Sequence, residues 1–220
     1  RGFPGADTAR SRYVDNPDTD YHQLVADMAG ITRKNAKTLN LGLAYGMGAA
    51  KAASQLGLAP AEAKKVYEQY HQNVPFIKAL GEECTRIATN RGYVKTLLGR
   101  RRRFQLFGPP KYSPGLIPLR KDLAEEKYGL PLKRYFVHKA MNAVIQGSSA
   151  DMIKQAMVNL YKLGEVPHLT IHDELDFSVR DYDHARMIRQ EMLTCVDLQV
   201  PLKVDCELGP NWGEAVEVEL

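Results

Sequence analysis

Cysteine is scarce in this 220-residue chain, and Cys84, Cys195 and Cys206 form no CxxC pair. An odd, scattered set argues against a disulfide framework and offers no zinc site, so reduced thiols in small core positions are expected. No apolar run approaches the roughly 20 residues that a membrane-spanning helix needs. The opening stretch Arg1 to Asp7 lacks the apolar centre of a signal peptide. Internal repeats are also missing. These absences lead to the expectation of an intracellular, cytoplasmic protein with no membrane partner. What is present, 44% hydrophobic and 25% charged residues, suits a globular chain of one or two domains with a real core.

Charge is unevenly spread. Residues 171–220 carry twelve Asp/Glu against four Lys/Arg, a balance of −8, so residues 1–170 hold +12 of the total of +4. A basic portion beside an acidic one suits a protein that grips a polyanion with one part and holds cations with another. It also suits an unevenly solvated surface.

The spacing of Gly, Pro and apolar residues predicts a helical first half followed by a mixed α+β portion. Residues 1–19 read as loop. Helices are predicted over 21–29, 32–46 with Thr32 as N-cap, 49–56, 61–73 and 75–90. A strand over 93–99 runs into Arg100–Arg103. Five prolines make 105–133 an irregular connection. A long helix over 134–163, a β-hairpin over 166–179, a helix over 182–197 and a strand over 201–207 complete the chain.

Two segments carry chemistry. Arg33, Lys37, Leu41 and Tyr45 recur at steps of four, so on a helix they form one stripe that drifts by about 40° per step. Cations at one end and flatter apolar groups further along can grip a ligand with both anionic and planar parts. Gly42, Gly46 and Gly48 weaken the end of that helix by about 1 kcal/mol each against Ala, as bending or close approach of a ligand requires. The second segment is His172-Asp173-Glu174, three ionisable residues where a hairpin turn normally uses Asn-Gly or Asp-Gly. Its alternation places Leu169, Ile171, Leu175 and Phe177 on buried positions. Two carboxylates there can hold Mg²⁺, which binds through one or two carboxylates plus substrate phosphates. A solvated acidic turn is the plainer alternative.

Together these segments resemble motifs B and C of the family A, polymerase I-like DNA polymerases. Arg33, Lys37, Gly42, Tyr45 and Gly46 meet the first pattern, and His172, Asp173 and Glu174 the second. Asp20-Tyr21-His22 resembles the segment before motif B, and Gly92 to Arg101 the Gly-Tyr-Val-x-Thr-x-x-Gly-Arg-Arg element. Asn142 to Asp151 resembles the palm helix Asn-x-x-x-Gln-Gly-x-x-Ala-Asp, and Gly209-Pro210-Asn211-Trp212 the ending of phage relatives. The resemblance implies a right-hand architecture, incomplete here. Its parts are a fingers subdomain over 1–110, a connection or insertion over 111–133, and a C-terminal palm portion over 134–220 with an antiparallel sheet and the hairpin.

It further implies template-directed addition of dNTPs to a primer 3′ end by two-metal phosphoryl transfer. Arg33 and Lys37, with His22, hold the triphosphate. Leu41 borders the sugar, Tyr45 stacks at the template position, and Gly46 lets the template backbone approach. Arg100 and Arg101 meet duplex phosphates, with Arg102 and Arg103 beside them. Asn142 and Gln146 reach minor-groove acceptors, which differ little between base pairs. His172 contacts the primer terminus. Asp173 binds metal, with Glu174 as a second or supporting carboxylate. Mg²⁺ is the implied cofactor, as two ions about 3.5–4 Å apart sharing a further aspartate. Template–primer DNA and dNTPs are the implied partners, in the host cytoplasm if the source is viral.

The pattern is not complete. Leu41 replaces the usual Phe or Tyr, and His138 stands where bacterial members carry Arg, a lean toward phage enzymes. The second aspartate belongs to motif A, Asp-x-Ser-x-x-Glu, which these residues do not contain; Asp7 to Arg12 is no match. An N-terminal polymerase portion carrying motif A and the thumb, with or without an exonuclease, is therefore an expected partner, and this chain alone is expected to be inactive. A non-catalytic nucleic-acid-binding remnant and a relative of single-subunit RNA polymerases are the alternative readings.

Overall fold

The computed structural model describes residues 2–44, 47–111 and 113–220. Its first element corrects the predicted loop: α1 spans Ala6–Asp15. Gly and Pro suggested a loop, but none falls between Gly5 and Pro17, and the stretch between them has Asp7 in the first turn and Arg12 in the last, which suits the helix dipole.

The next five helices follow their punctuation. α2 spans Tyr21–Ala29 and ends at Gly30, whose φ of 64° needs no Cβ penalty. α3 spans Arg33–Ala44, with Thr32 Oγ1 accepting from Asn35 N at 3.2 Å as an N-cap should. α4 (Ala49–Leu56), α5 (Pro60–Asn73) and α6 (Pro75–Arg91) complete the set, the last two opened by their prolines. On α3 the residues Ala36, Leu39, Asn40 and Leu43 are buried, an i, i+3, i+4, i+7 stripe. α2 packs against α3 and α5, and α4 against the same two. The resulting core joins Val25, Ala29, Ala36, Leu39, Tyr70 and Val74. Alanines at the contacts let the helices approach closely.

The single strand predicted after α6 is a hairpin instead. β1 (Tyr93–Lys95) pairs antiparallel with β2 (Arg101–Arg103), Tyr93 opposite Arg103 and Lys95 opposite Arg101. The chain reverses through Gly99 at φ 86°, and Thr96 N donates to Arg100 O at 2.9 Å. The stretch 105–133 is more regular than its prolines suggest. β3 (Leu106–Gly108) lies between β4 (Leu119–Arg120) and β5 (Lys133–Arg134), and α7 spans Lys121–Tyr128. Every proline of this stretch falls between those elements, where no ladder N–H is lost. A second core joins Cys84, Ala88, Val94, Phe104, Ala140 and Met141.

α8 spans Ala140–Lys162, preceded by a 3-10 turn at Val137–Lys139. It starts later than predicted because Arg134 is held in β5, where its Nη1 donates to Phe104 O at 2.8 Å. β6 (Leu169–Ile171) and β7 (Glu174–Asp176) form the predicted hairpin. α9 (Tyr182–Leu193) is capped by Asp181 and is shorter than predicted; Thr194 Oγ1 bonds back to Gln190 O at 2.8 Å as the helix ends. β8 (Cys206–Leu208) pairs with β9 (Val216–Val218), a strand that the sequence reading missed.

The chain clusters into two compact units, one of Arg1–Asp7 with Asp20–Ser148, the other of Thr8–Thr19 with Ser149–Leu220. No described helix is long and apolar enough to cross a membrane. Cys84 and Cys195 are buried and Cys206 half-buried; all three are free, and burial raises each thiol pKa.

Candidate active site

In the first unit the site is built on the facing starts of α2 and α3. Asp20 organises both. Its Oδ1 accepts from His22 N at 2.8 Å and Gln23 N at 3.1 Å, capping α2. Its Oδ2 accepts from Arg33 Nε and Nη2, both at 2.7 Å, fixing the first side chain of α3. The Gln23 amide and then the Arg33 guanidinium hold the Asp20 carboxyl below its ordinary pKa, so it stays ionised. An exposed ion pair of this kind adds little stability. Its effect is orientation: Arg33 keeps Nη1 unused among the described residues, in a fork suited to phosphate.

Lys37 and Leu41 continue the same exposed face. Lys37 has no ion-pair partner among the described residues. Leu41 is 49% exposed, which excludes an ordinary core leucine. It borders a hollow of about 580 Å³ lined also by Thr38, Gly42, Met47 and Lys51. Tyr45 and Gly46, the remaining members of the predicted stripe, lie outside the described residues. His22 stands on the first turn of α2. Burial first, then Arg33 and Lys37 against the opposing pull of Asp20, lower its pKa, so the ring is neutral near pH 7. Its Nδ1 lies 3.0 Å from Asn40 Nδ2, and Asn40 Oδ1 accepts from the Tyr70 hydroxyl at 2.6 Å.

The β1–β2 hairpin meets the third turn of α8 at Gly147 and Ser148. Arg100 Nη2 donates to Gly147 O at 2.8 Å, and Leu97 N to Ser148 Oγ at 2.9 Å. Arg100 is thus partly committed to holding the hairpin on the helix. Arg101 lies exposed over the Tyr93 ring, 4.8 Å from its centroid. Arg102 and Arg103 are exposed as well. Asn142 and Gln146 lie one turn apart on α8. Gln146 is exposed, and Asn142 Oδ1 is buried without a partner among the described residues.

The second unit holds the carboxylates. Ile171 pairs with Glu174, so His172 and Asp173 alone form the two-residue loop. Such loops favour positive φ, which suits Gly or Asn; His172 adopts φ 53° at a steric cost of about 1–2 kcal/mol. Strain of this kind collects at functional positions. The register also corrects the predicted burial. Odd-numbered residues of β6 share a face with even-numbered residues of β7, so Leu169 and Ile171 lie with Glu174 and Asp176, not with Leu175 and Phe177. Leu169 is exposed, and Ile171, Leu175 and Phe177 are only half-buried. The two carboxylates also part company: Asp173 is at the tip, and Glu174 begins the strand on the Ile171 face. Both are exposed. A hard cation takes one or two carboxylates and completes its shell with phosphate and water, and Asp173 fits one such place. Among the described residues no group of three or more His, Cys, Asp or Glu forms a cage.

Sequence reasoning missed Asp20 as an orienting group, and Asn40 and Tyr70 altogether. Asn40 left a trace, a polar residue inside the buried 36–39–40–43 stripe. Tyr70 left none.

The family model described as DNA polymerase family A matches residues 18–214. A DNA-directed DNA polymerase of Pseudomonas phage M6 is 36% identical over 242 residues, covering 94% of this chain and 33% of its own length. The DNA polymerase I of Synechocystis sp. is 35% identical, covering 86% of this chain and 20% of its own length. The chain therefore spans a third or less of these curated relatives. Among solved structures, the POL domain of Pol1 from M. smegmatis, in complex with DNA primer-template and dNTP, matches with a TM-score of 0.66 and 29% identity. That match covers 88% of this chain and 34% of the other.

Proposed function

This chain belongs to DNA polymerase family A, and we propose that it supplies the nucleotide-gripping helix and one metal-binding carboxylate for template-directed addition of dNTPs to a primer 3′ end. The observation that carries the reading is the Asp20–Arg33 pair, which aims a fork of N–H donors and leaves Lys37 and neutral His22 on the same face. Arg33 and Lys37 neutralise charge that grows on the leaving pyrophosphate, a stabilisation that costs no reorganisation because the groups are already placed. His22 adds a contact to the same phosphates, and Leu41 borders the sugar. Tyr45 and Gly46 serve the template. Arg101, with Arg102 and Arg103, meets duplex phosphates, and Asn142 and Gln146 reach the minor groove. His172 meets the primer terminus.

Asp173, with Glu174 in support, holds Mg²⁺ together with an aspartate of motif A. Bound there, the metal would supply Lewis-acid activation of the primer hydroxyl and charge neutralisation at the phosphate under attack. Residues 1–110 act as fingers and 134–220 as part of the palm. Motif A is absent from these 220 residues, so the chain by itself joins no nucleotide.

Primer extension tests this. The chain alone is expected to add nothing, and a protein that also supplies motif A is expected to add dNTPs in a Mg²⁺-dependent way. In that protein Asp173→Asn is expected to lower kcat by on the order of 100-fold or more. Full activity of Asp173→Asn overturns the metal role. Incorporation by the isolated chain overturns the need for motif A, and DNA binding without any incorporation by the protein that includes motif A marks a non-catalytic module.

A further inference from the structure

A neutral histidine ring donates from only one of its two nitrogens. For His22 the choice is made by two residues behind it. Asn40 Nδ2 lies 3.0 Å from His22 Nδ1, and the Tyr70 hydroxyl lies 2.6 Å from Asn40 Oδ1. Turning the Asn40 amide over points its NH₂ at the phenol oxygen instead. Two features oppose that. A separation of 2.6 Å is usual for an O–H···O bond and short for N–H···O. Tyr70 is also fully buried, and Asn40 is its hydroxyl's one partner among the described residues, so the turned amide strands a buried phenol proton.

The Asn40 NH₂ therefore donates to Nδ1, Nδ1 carries the lone pair, and the ring proton sits on Nε2. Nε2 has no partner among the described residues. The neutral ring this needs is the form that burial of His22 and its cationic neighbours favour. Burial likewise raises the Tyr70 phenol pKa and keeps its proton in place.

We infer that Tyr70 and Asn40 are positioning residues that hold His22 as the Nε2–H tautomer, so that a neutral N–H donor faces the triphosphate of the incoming nucleotide. The inference rests on the nucleotide-binding reading above. A ring free to exchange tautomers presents a lone pair to phosphate oxygens part of the time, and lone pair against oxygen repels. Fixing the tautomer removes that state before the nucleotide arrives. Neither positioning residue touches the nucleotide itself; Asn40 is 8% exposed and Tyr70 has no exposed surface.

The test uses the protein that carries this chain together with its motif A, labelled with ¹⁵N-histidine. His22 signals are identified by their loss in His22→Gln. The wild-type ring is expected to show a protonated Nε2 and a bare Nδ1. Asn40→Asp keeps the size but replaces the donor by a carboxylate, and is expected to move a proton onto Nδ1. Tyr70→Phe keeps the packing, removes the hydroxyl and is expected to mix the tautomers. In primer extension both substitutions are expected to raise KM for dNTP by about 5- to 20-fold, with kcat changed less. In a His22→Ala background they are expected to add nothing further.

A wild-type ring protonated on Nδ1 overturns the inference, as does an equal KM effect in the His22→Ala background. If the wild-type protein extends no primer, the polymerase reading falls. The ring spectrum then still decides the positioning: Nε2–H that shifts on Asn40→Asp supports it, and Nδ1–H overturns it.

Discussion

Position 41 separates identity from behaviour. Leu41 is half-exposed beside a hollow of about 580 Å³, so a ring has room there. Leu41→Phe is expected to change stability by less than about 0.5 kcal/mol, as surface substitutions usually do. It is expected to change the ratio of dideoxynucleotide to deoxynucleotide incorporation, because the side chain borders the sugar in the proposed complex. Competition between the two nucleotides in primer extension measures this, and an unchanged ratio removes Leu41 from the sugar pocket. His172 poses a related question, because it carries positive φ that Asn tolerates better. His172→Asn is expected to stabilise the fold by up to about 1 kcal/mol while slowing primer extension. Urea unfolding and kcat measured together decide it: a loss of stability argues that the strain is absent, and undiminished activity that the ring has no role.

At the scale of elements, α2 to α6 and the β6–β7 hairpin announced themselves, while α1, α7 and the remaining short strands did not. Thr32, Pro60, Pro75, Gly30 and Gly92 are local signals that act within one turn, so α2 to α6 could be read within a residue or two. The β1–β2 turn, the β3–β4–β5 sheet and β9 depend on partners more than five residues away, and three-residue strands carry too little alternation to show them. The site divides the same way. The α3 stripe and the hairpin acids were legible as patterns; the Asp20–Arg33 link and the Asn40–Tyr70 bond needed the packing of α2, α3 and α5. One close approach between elements is testable directly. A Cβ on Gly147 would lie 2.5 Å from Thr96 Cγ2, in the turn that Arg100 and Leu97 fasten to α8. Gly147→Ala gains helix propensity of about 1 kcal/mol but overpacks a buried, β-branched neighbour. A net loss of roughly 1–2 kcal/mol is expected in urea unfolding, with weaker binding of primer–template DNA as the hairpin arginines shift. A net gain shows that the turn gives way freely and that the glycine is no part of the clamp.

For the whole molecule, the distribution of perturbed histidines predicts an acid response that begins in one unit. His22, His71 and His138 all belong to the first unit, and burial lowers the pKa of each. A histidine whose folded pKa lies below its unfolded value of about 6.5 binds its proton more readily in the unfolded chain. No stability is lost above that value. Stability falls as pH drops from about 6.5 toward the lowered folded values, and levels off below them. Asp20 behaves in the same sense at lower pH, because its depressed pKa delays the loss of its two bonded roles until below about 3.8. His22 carries a further consequence. A proton on Nδ1 meets the Asn40 NH₂, the amide must turn, and Tyr70 loses its acceptor. The acid step therefore reaches from the half-buried His22 ring into the α2–α3–α5 core. Urea unfolding followed by hydrogen exchange at pH 7.5, 6.5 and 5.5 is expected to show falling protection first around Leu39, Asn40 and Tyr70. Replacing His22 by Gln is expected to flatten that fall. Protection that stays level down to pH 5.5 would show that these rings accept protons without leaving their folded places.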